Sequence, residues 1–387
     1  MLPIGGITMD YGKYLTYDIL PFWLKHSLDK KEGGIITILD ELGNVKGTEK
    51  NVWFVGRSLW AFSVAYRLIE QKGEYLDACK TIFSFLEKCT LLDGRLPFRA
   101  KRNGECIQSR GLYYSEGFAA IGCAQYYRIC KDENVKKKAE QYFDIAYNQY
   151  KNPETKIPVP QGTPAYTSFG IEMFMLNVAQ FVRNAGIRVK ECNDLAQTAI
   201  YNMQNNGHII DDLKTVREYI PTTEAKLLPP KDLYSCPGHV FEGAWFVMCE
   251  GVVKNNEDIK NFGIKLLNYA MPRGFEKYTS LIKTGFNDPE FDNYIWWPQC
   301  EAIIAYRLAY NITGKKEYLD ISKQIEDFAF NHFADFKNGE WYTEISQNGE
   351  VVNRNKGTFI KGPFHLPRML FALTSLDETN SIEKYMS

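Results

Sequence analysis

The sequence predicts an all-α fold, an (α/α)6 barrel or toroid with short β-hairpins at one rim. Six segments predict the inner ring, because each has a polar or Gly/Pro-containing lead and then a helix that is apolar nearly all round. More charged helices, each with a single apolar stripe, alternate with them and predict the outer ring. Ring closure buries the inner helices on both sides, so we expect residues 1–387 to form a single domain.

The inner segments start about 55 to 70 residues apart. They begin at Gly56, Gly111, Ser168, Cys236, Ile295 and Gly362. The amphipathic outer segments are residues 9–28, 73–89, 133–150, 257–271 and 315–333. Three further segments read as two short strands around a glycine-containing turn, and each precedes an inner helix: residues 35–47, 95–107 and 340–352. These hairpins are expected at the rim, which is the natural mouth of a pocket.

Composition excludes several classes of function. The net charge is −1 with the charges mixed along the chain, so neither nucleic acid nor an anionic membrane surface is an expected partner. No segment is apolar for long enough to cross a bilayer, and residues 1–15 lack the features of a signal peptide. Nine cysteines without a CxxC motif indicate reduced thiols in a cytoplasmic protein. Their spacing predicts no metal site.

Two loop-to-helix junctions carry most of the chemical information. CPGHVFEGAW (236–245) and KGPFHLPRM (361–369) each place a histidine beside Gly and Pro, and the whole chain has only five histidines. If the fold brings both junctions to one pocket, two imidazoles there can exchange protons near neutral pH. The other histidines lie in outer-helix or loop patterns and are expected to be structural or on the surface: His26, His208 and His332.

Polar residues recur at the starts of the inner helices. They are Arg57, Ser115, Glu116, Glu172, His239, Glu242, Glu301, His365 and Arg368. Each glutamate taken alone has a simple alternative explanation, because carboxylates are favoured in the first turn of a helix. Capping does not account for the histidines and arginines in the same set. His239 and Glu242 are three residues apart and share a helix face, so Glu242 is a candidate to hold one imidazole tautomer. A structural histidine or a metal ligand are the alternatives for His239.

Aromatic residues flank the same junctions. They are Trp53, Trp60, Tyr113, Tyr114, Trp296, Trp297 and Phe364. Such stripes are more often core, but flat apolar faces beside hydrogen-bonding groups also suit sugar rings. GKK at Gly314 lacks the other residues of a P-loop, and no GxGxxG follows a strand, so no nucleotide cofactor is indicated.

The chain resembles the N-acylglucosamine 2-epimerases, in the superfamily that includes cellobiose 2-epimerases and mannose isomerases. The matching motifs span nearly the whole chain: KNVWFVGRSLWAFS (50–63), YYSEGFAAIG (113–122), PGHVFEGAW (237–245), WWPQCEA (296–302) and KGPFHLPR (361–368). The family fold is the (α/α)6 barrel. The resemblance implies that the sugar opens, that one histidine removes the C2 proton and that a second returns a proton to the other face.

Carried onto this sequence, the resemblance implies four catalytic residues: His239, His365, Arg57 and Glu301. Arg57 would stabilise the oxyanion that develops at O1. Glu301 and Glu242 would orient an imidazole or bind hydroxyls. The predicted substrate-binding residues are Glu242, Trp60, Tyr113, Glu116, Asn177, Trp297 and Arg368. Which histidine serves which face stays open, and no metal is expected.

Within the superfamily, the third inner helix favours one group. SFGIEMFMLN lacks the extra histidine of cellobiose epimerases, and MFMLNVAQ is closer to the N-acylglucosamine group. The resemblance therefore implies interconversion of N-acetyl-D-glucosamine and N-acetyl-D-mannosamine, with no cofactor consumed, ATP as an allosteric activator and a homodimer.

Other reactions remain open at this point. One is another sugar 2-epimerase or an aldose–ketose isomerase. A second is a glycoside hydrolase using two carboxylates from Glu116, Glu242 and Glu301, which leaves both histidines without a role. A third is a sugar-binding protein without catalysis.

Overall fold

The computed structural model of the protein describes residues 9–109, 113–152, 166–221, 234–274, 282 and 293–386. The helices are α1 (Tyr11–Tyr14), α2 (Leu20–His26), α3 (Val52–Leu68), α4 (Gly73–Cys89), α5 (Tyr114–Cys130), α6 (Glu133–Lys151), α7 (Phe169–Asn184), α8 (Val189–Asn205), α9 (Pro237–Val253), α10 (Glu257–Gly274), α11 (Trp296–Thr313), α12 (Lys316–His332), α13 (His365–Thr379) and α14 (Glu383–Met386). A π-helical turn, Leu15–Ile19, joins α1 to α2.

The six inner helices form a closed ring, which confirms the predicted fold class. In chain order α3, α5, α7, α9, α11 and α13 each pack on the next, and α13 returns to α3. Their side chains are buried on nearly every face, as the apolar sequences indicated. The predicted single domain of residues 1–387 includes segments outside the described ranges and stays a prediction.

The outer helices each pack on one inner partner. Helices α4, α6, α8, α10 and α12 lie against α3, α5, α7, α9 and α11 respectively. The N-terminal helix packs on α13, so the first outer segment of the chain completes the last pair of the ring. The sequence patterns had not singled out α8, whose buried face includes Cys192, Leu195, Ala199 and Met203.

The strands are short and lie at the N-terminal ends of the inner helices. They are β1 (Lys50–Asn51), β2 (Arg99–Ala100), β3 (Cys106–Gln108), β4 (Tyr166–Ser168), β5 (Ile209–Ile210), β6 (Thr215–Val216), β7 (Tyr219–Pro221), β8 (Tyr294–Ile295), β9 (Glu344–Ile345) and β10 (Val351–Asn353). Antiparallel pairing of β2 with β3 and of β9 with β10 confirms two predicted hairpins. Two small sheets, β4–β7 and β5–β6, were not predicted.

The third predicted hairpin, residues 35–47, is not a pair of strands. Asp40 Oδ1 accepts hydrogen bonds from the backbone N–H groups of Leu42 and Asn44, at 3.0 and 2.8 Å, and closes a tight local turn. The pairing that remains is a single bridge between Leu39 and Val45, and Leu39 also bridges Gly357. The prediction of two strands in residues 35–47 was wrong, because Leu39 pairs both within this segment and with Gly357 in a distant loop.

The starts of the inner helices are positioned by local caps. Asn51 Oδ1 accepts a hydrogen bond from the N–H of Trp53 at 3.3 Å, and Ser168 Oγ accepts one from Ile171 at 3.2 Å. Pro237 occupies the first position of α9, where its missing N–H costs nothing. No helix in the described ranges is both long enough and apolar enough to cross a membrane.

Candidate active site

A cavity of about 310 Å³ opens where the N-terminal ends of the inner helices meet. Its wall is mostly apolar and rich in aromatic rings, with a few polar groups that converge from different helices. This combination is typical of a site for a small polar molecule with apolar faces. The lining residues are Trp53, Arg57, Tyr114, Phe118, Gly170, Met173, Phe174, Asn177, His239, Glu242, Phe246, Trp296, Trp297, Ile360 and His365.

His365, the first residue of α13, is held by a buried carboxylate. Its Nδ1 lies 2.7 Å from Glu301 Oε1, and Glu301 Oε2 accepts a hydrogen bond from Trp245 Nε1 at 2.8 Å. Arg368 Nη2 donates to Glu301 Oε1 at 2.6 Å and to Glu242 Oε1 at 2.5 Å. Because Nδ1 faces Glu301, Nε2 is the nitrogen left for the cavity.

The surroundings of His365 favour the neutral imidazole. Burial, followed by the positive charges of Arg368 and Arg57, lowers the pKa of His365 well below its usual value. Burial also raises the pKa of Glu301, against the opposing effect of Arg368. An imidazole that stays neutral near pH 7 can accept a proton at Nε2.

His239, in the first turn of α9, has a different carboxylate partner. Its Nδ1 lies 3.1 Å from Glu218 Oε2. Glu218 is buried, and its Oε1 accepts a hydrogen bond from the N–H of Gly170 at 3.1 Å. The neighbouring strand β7 pairs with β4 at the start of α7, which brings Glu218 to α9.

The surroundings of His239 favour the protonated imidazole. Burial acts to lower the pKa of His239, but its interactions with Cys236 and with the carboxylate of Glu218 outweigh burial and raise the pKa well above the usual value. The two pKa values are therefore shifted in opposite directions: His239 binds a proton more tightly than a free imidazole, and His365 binds it more weakly.

Trp297 connects the two histidines. The centroid of its ring lies 5.6 Å from that of His239 and 5.4 Å from that of His365, with the same interplanar angle of 38°. A Cβ atom at Gly238 would lie 2.3 Å from this ring, so only glycine allows the indole to reach its place. The PGH motif thus supplies both an imidazole and the space for the aromatic wall beside it.

Arg57 is a half-buried cation at the cavity wall without an ion pair in the described part of the chain. Its guanidinium carbon lies 4.1 Å from the ring centroid of Phe118 and 4.3 Å from that of Phe364, and its Nε has no hydrogen-bond partner there. Burial lowers the pKa of Arg57 to about 9, so the group stays charged near pH 7. A guanidinium that faces a cavity and makes no direct ion pair in the described residues suits an anion or a developing oxyanion.

The structure places the predicted site residues in three groups. Those that line the cavity are Arg57, Asn177, His239, Glu242, Trp297 and His365. Glu301 and Arg368 are fully buried behind His365 and act through it and through Glu242. The remaining predicted substrate-binding residues do not line the cavity: Trp60, Tyr113 and Glu116. Trp60 lies in the core against Phe181 and Phe371.

The contacts of the four glutamates show whether each one caps its helix or has another role. Glu242 and Glu301 are the sixth residues of their helices, beyond the free N–H groups of the first turn, and both bind Arg368. Glu116 accepts hydrogen bonds from Arg95 Nε at 2.5 Å and from the Leu96 N–H at 3.0 Å, so it fastens α5 to the preceding loop. Glu172 accepts a hydrogen bond from the Tyr150 hydroxyl of α6.

The expected pairing of His239 with Glu242 does not occur. Glu242 binds Arg368, and Glu218 holds His239 instead. Sequence reasoning missed Glu218 because it lies 21 residues before His239, in a segment without helical periodicity. No local spacing signals this contact, since the sheet β4–β7 creates it.

Comparison with known proteins identifies the family of the chain. The family model of the N-acylglucosamine 2-epimerases (GlcNAc 2-epimerases) matches residues 33–360. The N-acylglucosamine 2-epimerase of Bos taurus is 27% identical over 375 residues, which cover 91% of this chain and 87% of the bovine protein.

Two solved structures share the fold. Cellobiose 2-epimerase from Bacillus thermoamylovorans superposes with a TM-score of 0.83 at 20% identity, and D-mannose isomerase with 0.82 at 16%. Each alignment covers 96% of this chain and 98% of the other. With the family model spanning most of the sequence, the chain belongs to the N-acylglucosamine 2-epimerase family.

Proposed function

We propose that the protein interconverts N-acetyl-D-glucosamine and N-acetyl-D-mannosamine by removing and returning the C2 proton of the ring-opened sugar. The observation that carries this proposal is a pair of imidazoles, His239 and His365, that line one cavity. The pKa of His239 is raised and the pKa of His365 is lowered. Epimerisation needs a proton acceptor on one face of C2 and a donor on the other. Family membership supports the same reaction.

The environments suggest which histidine acts first as the base. In the resting protein His365 is neutral and accepts the C2 proton at Nε2, while protonated His239 donates to the opposite face. This state suits the epimer whose C2 proton faces His365. The other epimer requires the reversed protonation state, which the protein reaches by exchanging both protons with solvent.

Arg57 is proposed to stabilise the oxyanion at O1 of the intermediate. Replacing it by methionine keeps the apolar stem among Phe118 and Phe364 but removes the charge. We expect kcat to fall about 10²- to 10³-fold, because the charge acts on the transition state, with a smaller change in KM. Steady-state kinetics measure both constants, and an unchanged kcat would remove Arg57 from the mechanism.

The two pKa shifts predict a bell-shaped pH profile for kcat/KM. On the acid side activity persists below pH 6.5, because the lowered pKa of His365 keeps it neutral. On the alkaline side activity is lost as the pH rises through the raised pKa of His239, whose proton is required. In Glu218→Gln a source of that rise is removed, so the alkaline limb should move to lower pH while the acid limb stays. If the acid limb moved instead, the two limbs would have to be assigned the other way round, the acid limb to His239 and the alkaline limb to His365.

The reaction itself is tested by proton NMR in deuterium oxide. Incubation with N-acetyl-D-mannosamine should yield N-acetyl-D-glucosamine carrying deuterium at C2. A folded wild-type protein that gives no exchange at C2 excludes the proposal. A panel of free sugars in the same assay tests an aldose–ketose isomerase, since a C2 amide cannot yield a simple ketose, whereas mannose can.

A glycoside hydrolase is the weaker alternative. Of its three candidate carboxylates, Glu242 and Glu301 are both bound to Arg368, and Glu116 lies outside the cavity wall. Release of reducing sugar from oligosaccharides would revive it.

Activation by ATP and a homodimeric state are proposed from the family resemblance, and a cytoplasmic location is proposed from the nine cysteines without a CxxC motif. Repeating the sugar panel with ATP, and measuring mass in solution by light scattering, test the first two.

A further inference from the structure

Cys236 lies beside the carboxylate–imidazole pair of His239. One potential ligand atom from each of Glu218, Cys236 and His239 lies within 4.8 Å of the others. The thiol is buried, whereas the His239 side chain is 34% exposed and lines the cavity. We propose that these three residues form a binding site for a soft divalent cation, Zn²⁺, and that its occupation stops turnover.

The donor set is the one that zinc prefers. Thiolate, imidazole and carboxylate are its common protein ligands, at about 2.3, 2.0–2.1 and 2.0–2.2 Å. Those bond lengths place tetrahedral ligand atoms somewhat closer together than 4.8 Å, so a shift of about 1 Å completes the set. The fourth position is left for water. Binding displaces two protons to solvent, the Cys236 thiol proton and the Nδ1 proton of the His239 imidazolium. The charges of the Cys236 thiolate, Glu218 and Zn²⁺ then cancel.

Gly170 packs directly against the two ligand side chains. A Cβ atom there would lie 2.8 Å from His239 Nδ1 and 3.0 Å from Glu218 Oε1, so glycine at this position allows both side chains to keep their places. The Gly170 N–H also fixes Glu218 Oε1 at 3.1 Å, which leaves Oε2 towards the imidazole.

A second cluster shows why the first one is selected. Ligand atoms of Glu242, Glu301 and His365 also lie within 4.8 Å of one another. Arg368 already occupies that cluster, with Nη2 at 2.5 Å from Glu242, 2.6 Å from Glu301 and 3.2 Å from His365 Nδ1. A fixed guanidinium competes with a metal cation there, and the second cluster also has no thiol.

Occupation would block His239 without filling the sugar cavity. Nδ1 faces Glu218 and is the nitrogen that takes the metal, so the proton of the neutral imidazole resides on Nε2. An imidazole in that form neither accepts the C2 proton nor serves as the imidazolium donor. We therefore expect zinc to reduce kcat more than it changes KM.

Cobalt spectroscopy tests the site without any sugar. Adding Co²⁺ to the reduced wild-type protein should produce thiolate-to-cobalt charge-transfer absorption in the near ultraviolet, with one cobalt per chain. Cys236→Ser should abolish this band, whereas Cys249→Ser, a buried cysteine further along α9, should retain it. A wild-type protein that gives no such band, or a band that survives in Cys236→Ser, overturns the proposal.

Inhibition is then compared with each variant's own activity. Zn²⁺ should inhibit the wild type, a chelator should reverse the effect, and Cys236→Ser should raise the half-inhibitory concentration about 10- to 100-fold. Equal inhibition of Cys236→Ser and wild type contradicts the inhibitory role. This second arm depends on the proposed epimerase activity, whereas the cobalt arm does not, so the two failures are distinguishable.

Discussion

Replacing His365 by asparagine is expected to reduce kcat for epimerisation by about 10²- to 10⁴-fold, the usual contribution of a general base. The Asn amide nitrogen can still donate to Glu301, which holds His365 Nδ1 at 2.7 Å, so the buried carboxylate keeps a partner. What the variant lacks is Nε2, the nitrogen that faces the cavity. Steady-state kinetics with both epimers measure the loss, and a thermal unfolding curve shows that the fold survives.

Isotope exchange makes this result specific to a two-base mechanism. In His365→Asn, His239 remains, so the epimer whose C2 proton faces His239 should still exchange that proton with deuterium oxide without being converted. His239→Asn should show the same behaviour with the other epimer.

The matched control is His332→Asn, on an outer helix outside the cavity lining, where the imidazole contacts the Gly349 carbonyl and stacks on Phe328. It should retain wild-type kcat. Retained epimerisation in either His365→Asn or His239→Asn would overturn the assignment of two bases.

The second large effect is expected at Glu301, which reaches the reaction only through its neighbours. Glu301→Gln keeps the shape but removes the charge that pairs with His365 and Arg368. His365 then loses the carboxylate that holds its tautomer, and we expect kcat to fall about 10²- to 10³-fold. The buried guanidinium keeps Glu242 as a partner, so the free energy of unfolding should fall by about 1–3 kcal/mol.

Glu116→Gln separates the loss of activity from a general loss of a buried charge. Glu116 is also buried in an inner helix and paired with an arginine, Arg95, but it lies outside the cavity wall. Urea unfolding should show a similar loss of stability in both variants, whereas only Glu301→Gln should lose kcat. Equal losses of kcat in the two variants would reduce Glu301 to a structural residue.

Much of the architecture was predictable because it depends on local periodicity. The all-round apolar pattern of six segments predicted the inner ring, and the outer helix predicted at 73–89 has the observed bounds of α4. The prediction of a hairpin in residues 35–47 was wrong, because one of the two β-bridges of Leu39 is made to Gly357, more than 300 residues away. A short strand has too few residues for its sequence pattern to indicate which distant segment it pairs with.

The sequence by itself determined that two histidines begin inner helices on one rim. Helix periodicity and the chain-wide repeat can both be identified from the order of residues alone. Only the tertiary structure decided their partners. Glu218 and Glu301 reach His239 and His365 from other elements of the fold, 21 and 64 residues away. These contacts, and the burial around them, set the opposite proton affinities, because the pKa of an imidazole depends on charges within a few ångströms in space rather than on neighbours in sequence.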